Sequence, residues 1–483
     1  MRLFHGQRYH AIIFAHRLHA GQRAPCLQRR AFGIAARHRG NRKLHHVMPT
    51  EALDQIRRRT LRDDLAVIHD RQPVAQPLRL IHVMRGQQHR SAGAFKLANN
   101  IPQLPPASAR LKDVFLSCKI SVAMKLDSEL LKSLPKVLLH EHLDGVLRPR
   151  TIIELANDCK YSDLPTNDPD ALSQWFFRGA NQGSLAKYLE GFAHTIAVMQ
   201  TEEALQRVAY EQAEDLSRDG VVYFETRFAP VFHTRKGLTH QQIVAAVLKG
   251  LERGRKDFGI ASGLIICAMR NMNVSLEMAE LAVDFRARGV VGFDLAGEEG
   301  GFPPKKHVDA FHYIQRENFN ITIHAGEGYG KESIWQAIQY CGAHRIGHGT
   351  RLIDDIAVSN GKAVKLGDLA QYVLDKRIPL EICLLSNVHT GATPSLAEHP
   401  FKILYQEKFR VTLNTDNRLM SHTSMTQEFA AAAETFGLSL NDFEKITINA
   451  MKSAFLPYND RLGFIYSTIK PGYARIRESA GSK

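Results

Sequence analysis

Eight short apolar segments, separated by longer stretches with helical periodicity, run from Lys136 to Asn417 and leave few folds open to the chain. They read KVLLH, VVYFETRFAP, GLIICAM, VVGFDLAG, ITIHAGE, HRIGHGT, IPLEICLLS and RVTLNTDN. Nearly continuous β-branched runs suit strands buried on both faces, and parallel strands of that kind need helical crossovers. LTHQQIVAAVLKGLERGRKDFG and SLEMAELAVDFRARG are two such crossovers, the first ending on a glycine suited to a helix C-terminus. Eight alternations predict an α/β fold, a (β/α)8 TIM-type barrel with its active site at the C-terminal strand ends. A doubly wound sheet competes with it, but no G-x-G-x-x-G turn follows the first strand and no G-x-x-x-x-G-K-[ST] loop occurs. The late segment SMTQEFAAAAETFGLSLNDFEKITINAMKSAF reads as wrapping helices of the same domain.

The strand ends carry unusual cargo. The first segment runs into His140 and His142, with Asp144 two further on, and alternate strand residues point the same way. The fifth ends in His324 and then Glu327, the sixth near His348, the eighth in Asp416. Buried strands rarely carry ionisable groups without a use for them. One buried histidine satisfied by hydrogen bonds is commonplace; histidines and an aspartate at four strand ends of one rim point to a metal. His140, His142, His324 and Asp416 offer nitrogen and oxygen ligands without thiolate, a set that suits zinc and also admits iron or manganese. A catalytic zinc lowers the pKa of bound water to about 7. Glu327 lies between Gly326 and Gly328, so the expectation is a tight turn holding a general acid, with His348 placed to orient or deprotonate the water. The H-E-x-x-H pattern and the H-x-E with P-C-x-x-C pattern are both absent.

The net charge of +14 comes entirely from residues 1–123, which hold 22 Lys and Arg against 6 Asp and Glu, whereas the remainder holds 41 against 43. The first 123 residues are rich in Arg and His, contain a single Glu (Glu51), and show little helix or strand periodicity. A basic nucleic-acid arm and a targeting segment are two readings of this extension. The preferred expectation is upstream sequence translated from a mis-set start, or a disordered extension, with the catalytic domain spanning 124–483. No apolar run is long enough to cross a membrane, and six scattered cysteines without a C-x-x-C pair fit a reduced, cytoplasmic setting.

HEHLDG, FETRFAP, GFDLAGEE, HAGEG, RIGHGT, LLSNVHTGA and LNTDN stand in the order seen in adenosine deaminases of the metal-dependent amidohydrolase superfamily, and the chain resembles that family from about Leu134 to Ala454. The resemblance implies one zinc per chain held by His140, His142, His324 and Asp416. It implies that Glu327 protonates purine N1 and that His348 helps activate the water. His142, Asp144, Gly297 and Asn417 resemble substrate contacts: Asp144 to the ribose 5′-hydroxyl, the Gly297 N–H to the purine. Many members have Asp-Asp where this chain has Asp416-Asn417. Purine N7 is an acceptor, and the Asn417 amide can donate to it at any pH, so the contact survives the change.

The expected reaction is hydrolytic deamination of adenosine and 2′-deoxyadenosine to inosine and deoxyinosine plus ammonia. Related adenine deaminases tend to have Glu-Gly where this chain has Asp144-Gly145; a carboxylate there favours a free 5′-hydroxyl and repels a 5′-phosphate. The alternatives are adenine or a modified adenosine such as aminofutalosine as substrate, decided by lid residues near Trp175–Met199. Expected partners are a small purine nucleoside and water, with no membrane and with nucleic acid disfavoured.

Overall fold

The structure, a computed structural model, describes residues 126–481. The expectations for residues 1–123 lie outside the described residues. Eight strands are parallel and fall into two four-stranded sheets. The first sheet holds β1 (Lys136–His142), β2 (Val221–Phe228), β3 (Ala261–Met269) and β4 (Val290–Ala296) in chain order. The second holds β5 (Thr322–Ala325), β6 (Arg345–His348), β9 (Leu380–Ile382) and β10 (Val411–Leu413), in the order β10-β9-β6-β5. Bridges join the sheets at both edges, Phe293 with Ile321 and Glu141 with Asp416, so parallel pairing runs from β1 round to β10 and back to β1. At the second seam the Asp416 N–H donates to the His140 carbonyl at 3.0 Å and the His142 N–H to the Asp416 carbonyl at 2.8 Å.

Each expected segment contains a strand, and several are shorter than expected. IPLEICLLS yields only Leu380–Ile382, because a helix, Leu384–His389, starts at once and the buried Glu428 carboxylate accepts its Leu384 N–H at 3.1 Å. RVTLNTDN yields Val411–Leu413, and the side chain of Asn414 then takes over the ladder by accepting the Leu139 N–H at 2.9 Å. An antiparallel hairpin, β7 (Ile356–Ser359) with β8 (Lys362–Leu366), was not expected. The crossover His240–Phe258 begins at a Thr239–Gln242 capping box and ends at Gly259 with φ 69°, as the sequence predicts. The late segment forms two helices, Met425–Phe436 against β10 and Leu440–Ser453 against both β10 and β1. No helix among the described residues is long and apolar enough to cross a membrane.

Both faces of β1 are covered, and every residue from Lys136 to Glu141 is buried. Its apolar residues join one continuous core with the helices. The polar interior is organised by two buried arginines. Arg227 donates to Glu381, Asp294 and the Leu139 carbonyl, and Arg345 pairs with Glu381 and Glu225. These pairs satisfy buried charge that would otherwise cost several kcal/mol per group.

Candidate metal and catalytic site

All four predicted ligands come together at the C-terminal strand ends. One ligand atom from each of His140, His142, His324 and Asp416 lies within 4.8 Å of the others. The Nε2 atoms of His142 and His324 stand 3.0 Å apart, and Asp416 Oδ1 is 3.4 Å from His140 Nε2 and 3.5 Å from His142 Nε2. Two of the imidazoles are oriented from behind. His140 Nδ1 donates to Glu381 at 2.9 Å, and His324 Nδ1 donates to Asp294 at 3.0 Å. With the proton fixed on Nδ1, each presents the Nε2 lone pair to the centre, the arrangement a cation needs. Burial lowers the pKa of His324 and holds that of His142 well below the ordinary imidazole value, so lone pairs rather than protons face inward. His140 Nε2 is buried with no hydrogen-bond partner. Crowded lone pairs, an orphaned nitrogen and one carboxylate fit a divalent metal well. Ser386 Oγ donates to the outer oxygen of Asp416 at 2.5 Å and fixes that carboxylate too.

Two side chains of the site stand on strained backbone. Asp416 at φ 59° and His348 at φ 61° occupy the left-handed region, which turns each side chain off its strand end toward the site. Gly347 serves by being small: a Cβ there would stand 3.0 Å from the His140 ring and 3.1 Å from the His324 Cα.

Glu327 is buried in a turn, as expected. The carboxylate of Glu299 accepts the N–H groups of Gly326, Glu327 and Gly328 at 2.8–3.0 Å and so holds the HAGEG loop closed. Burial, then the charges of Asp416 and Glu299, push the Glu327 carboxyl well above the usual range. Both effects favour its protonated form. Its Oε2 is 3.4 Å from His348 Nε2, and its Oε1 has no protein partner.

His348 is governed by a relay that starts at a backbone amide. The Phe401 N–H can only donate, and it donates to His399 Nδ1 at 3.0 Å. His399 Nε2 must then carry the proton, which it gives to Asn387 Oδ1 at 3.2 Å. The Asn387 amide nitrogen in turn donates to His348 Nδ1 at 2.9 Å. His348 is left with its proton on Nε2, aimed at Glu327.

A cavity of about 320 Å³ opens onto this cluster. His142, Asp144, Gly297, His324, Glu327, His348, Asp416 and Asn417 all line it. Its volume and mixed lining suit a small molecule. Burial, with the nearby Asp416 charge, pushes the Asp144 carboxyl up to about 7. Gly297 has φ 100°, and Gly145 lets Asn417 approach so closely that a Cβ there would meet its Oδ1 at 1.9 Å. Of the expected lid, Leu185, Tyr188, Phe192 and Ile196 line the cavity; Trp175 packs instead against Phe176 and His194.

Sequence reasoning did not assign roles to Asp294, Glu299, Ser386 and Asn387, although each lies inside a motif it singled out. Glu381 carried a signal of its own, as a carboxylate in the middle of the apolar run IPLEICLLS.

The family model described as adenosine deaminase matches residues 135–470. Adenosine deaminase 1 of Streptomyces coelicolor is 57% identical over 348 residues, which cover 71% of this chain and 88% of that protein. An adenine deaminase from Arthrobacter aurescens has a similar fold, with a TM-score of 0.64 at 24% identity over 71% of this chain and 99% of its own. An amidohydrolase from Burkholderia ambifaria, solved with bound zinc, matches with a TM-score of 0.64 at 20% identity over 76% of this chain and 98% of its own.

Proposed function

The chain belongs to the adenosine deaminase family of the metal-dependent amidohydrolases, and we propose here how its own residues carry the reaction. It is an enzyme that deaminates adenosine. The unbroken circuit of parallel pairing supports a closed (β/α)8 barrel with the cavity at its C-terminal rim. His140, His142, His324 and Asp416 would hold one zinc ion per chain, which when bound supplies the Lewis acidity that makes water a nucleophile at neutral pH.

The protein's own groups do the rest. Water adds to C6 of the purine while electron density moves onto N1. Glu327, whose burial favours the protonated carboxyl, gives its proton to N1 as that density arrives. One proton of the added water replaces the one that Glu327 gave to N1; the other passes from the C6 hydroxyl to the amino group, so the C6–N bond breaks as the C6=O bond forms, ammonia leaves, and inosine and protonated Glu327 remain. His348 donates from Nε2, so it orients the attacking oxygen or the Glu327 carboxylate and does not act as the resting-state base. The Gly297 N–H and the Asn417 amide would fix the purine, the latter at N7, and His142 would border it. Asp144 would take the ribose 5′-hydroxyl, so adenosine and 2′-deoxyadenosine are turned over and AMP is not.

The observation that carries these assignments is the meeting of a buried carboxyl, a donor imidazole and a three-histidine, one-carboxylate cluster in one small cavity. We place the enzyme in the cytoplasm and regard residues 1–123 as dispensable for turnover. The test is to assay metal content and then follow the ultraviolet change with adenosine, 2′-deoxyadenosine, adenine and AMP. Turnover of the two nucleosides, with one zinc per chain, is expected. Turnover of AMP at a comparable rate would overturn the role of Asp144, and full activity without bound metal would overturn the ligand assignment.

A further inference from the structure

A second cavity, of about 390 Å³, lies at the opposite ends of the strands. Arg345 at the start of β6 forms its floor, and Lys376, Arg377, Arg410, Lys452 and Arg461 line its walls. No carboxylate lines it. Arg345 is neutralised from within by Glu225 and Glu381. The other five make no ion pair among the described residues. Arg377 donates to the Lys408 carbonyl and Arg461 to the Lys452 carbonyl, contacts that satisfy protons without cancelling charge.

Like charges crowded into a concave site destabilise one another and focus a positive potential. Arg410 feels this directly: burial, then the charges of Arg377 and Arg461, lower its pKa from the ordinary arginine value. The Nε atoms of both Arg410 and Arg461 are buried and have no hydrogen-bond partner. Arginine forks with open N–H groups match phosphate oxygens, and lysines add point charge. A singly charged carboxylate would leave most of five cations uncompensated.

We propose that this basal cavity binds a polyphosphate anion, either free or as the phosphate chain of a nucleotide. The site is separate from the nucleoside cavity, and nothing in the deamination chemistry requires it.

The test is calorimetric titration of the full-length, metal-loaded protein with tripolyphosphate and with uridine triphosphate, whose pyrimidine suits the purine cavity poorly. The partner variant is Arg410→Gln/Arg461→Gln, with Lys249→Gln on an outer helix as a control. Adenosine turnover equal to that of the unaltered protein shows that each variant is folded. Binding to residues 1–123, or removal of metal by the probe, would be common to all three proteins. The expected result is a binding event in the unaltered protein and in Lys249→Gln that weakens at least tenfold in the double variant. Equal affinity for the two anions would mean that the phosphate chain alone is read; much tighter uridine triphosphate would mean that the nucleoside is read too. Titrations of the unaltered protein and the double variant that superimpose would overturn the proposal.

Discussion

The side-chain amide nitrogen of Asn387 stands 2.9 Å from Nδ1 of His348, and this contact decides which nitrogen of His348 carries the proton. Because the relay behind it begins at the Phe401 N–H, its direction is imposed by the backbone. Asn387→Asp would place an acceptor opposite Nδ1 and draw the proton there. We expect the variant to keep its metal and substrate affinity while kcat falls about 100-fold, in the usual range for a lost proton-handling group. Nitrogen-15 shifts of labelled histidine should show the His348 tautomer reversed. An unchanged tautomer with unchanged kcat would remove Asn387 from the mechanism.

Glu327→Gln keeps the size of the side chain and removes the transferable proton. The expected loss in kcat is about 10³-fold with metal content intact. Metal analysis beside steady-state kinetics checks it, and a rate within tenfold of the parent would exclude Glu327 as the acid.

Gly145→Ala inserts a methyl group where the Asn417 side chain now sits. Asn417 must swing away from the cavity, so KM for adenosine should rise about tenfold, the scale of one lost hydrogen bond in a binding site. A matched Asn417→Ala variant should rise similarly, and the double variant should show little further loss. Strictly multiplicative effects in the double variant would show that the two residues act independently.

Burial pulls His233 and His389 down to about 4 and His399 down to about 3. The unfolded chain protonates each near pH 6.5, while the folded chain resists until pH 3–4. The unfolded state thus binds more protons in that window. Stability is present in full above about pH 6.5 and is lost as pH falls toward 4. His233→Asn keeps the donor to the Met199 carbonyl, which His233 Nδ1 reaches at 2.8 Å, and removes one titrating group. Chemical denaturation at pH 7.5 and 5 should show the variant losing less stability across that span, by on the order of 2 kcal/mol. Identical losses would mean that His233 is not a neutral, buried group.

Much of this was legible because buried parallel strands leave long apolar runs, and a histidine or aspartate at the end of such a run is conspicuous. His140, His142, His324, Glu327, His348 and Asp416 all stood out for that reason. Strand lengths were less legible, since IPLEICLLS is apolar throughout while its strand stops at Ile382 and a helix begins at Leu384. The β7–β8 hairpin did leave a trace, the Asn360–Gly361 pair, both residues with positive φ as such a turn demands. Asn387 lies inside LLSNVHTGA, but nothing in the sequence marks its link to His399 and His348, because the relay joins a loop, a short helix and a strand end whose proximity only the folded chain creates.

The seam between β1 and β10 has a consequence for how the protein is made. Asp416 both closes the circuit against His140 and His142 and completes the ligand set. A growing chain displays His140, His142 and His324 long before Asp416 emerges, so three imidazoles exist without the carboxylate or the strand that brings it. Prematurely ended products lack the seam and the fourth ligand together. Metal capture in the finished geometry is thereby reserved for chains that have been translated past residue 416.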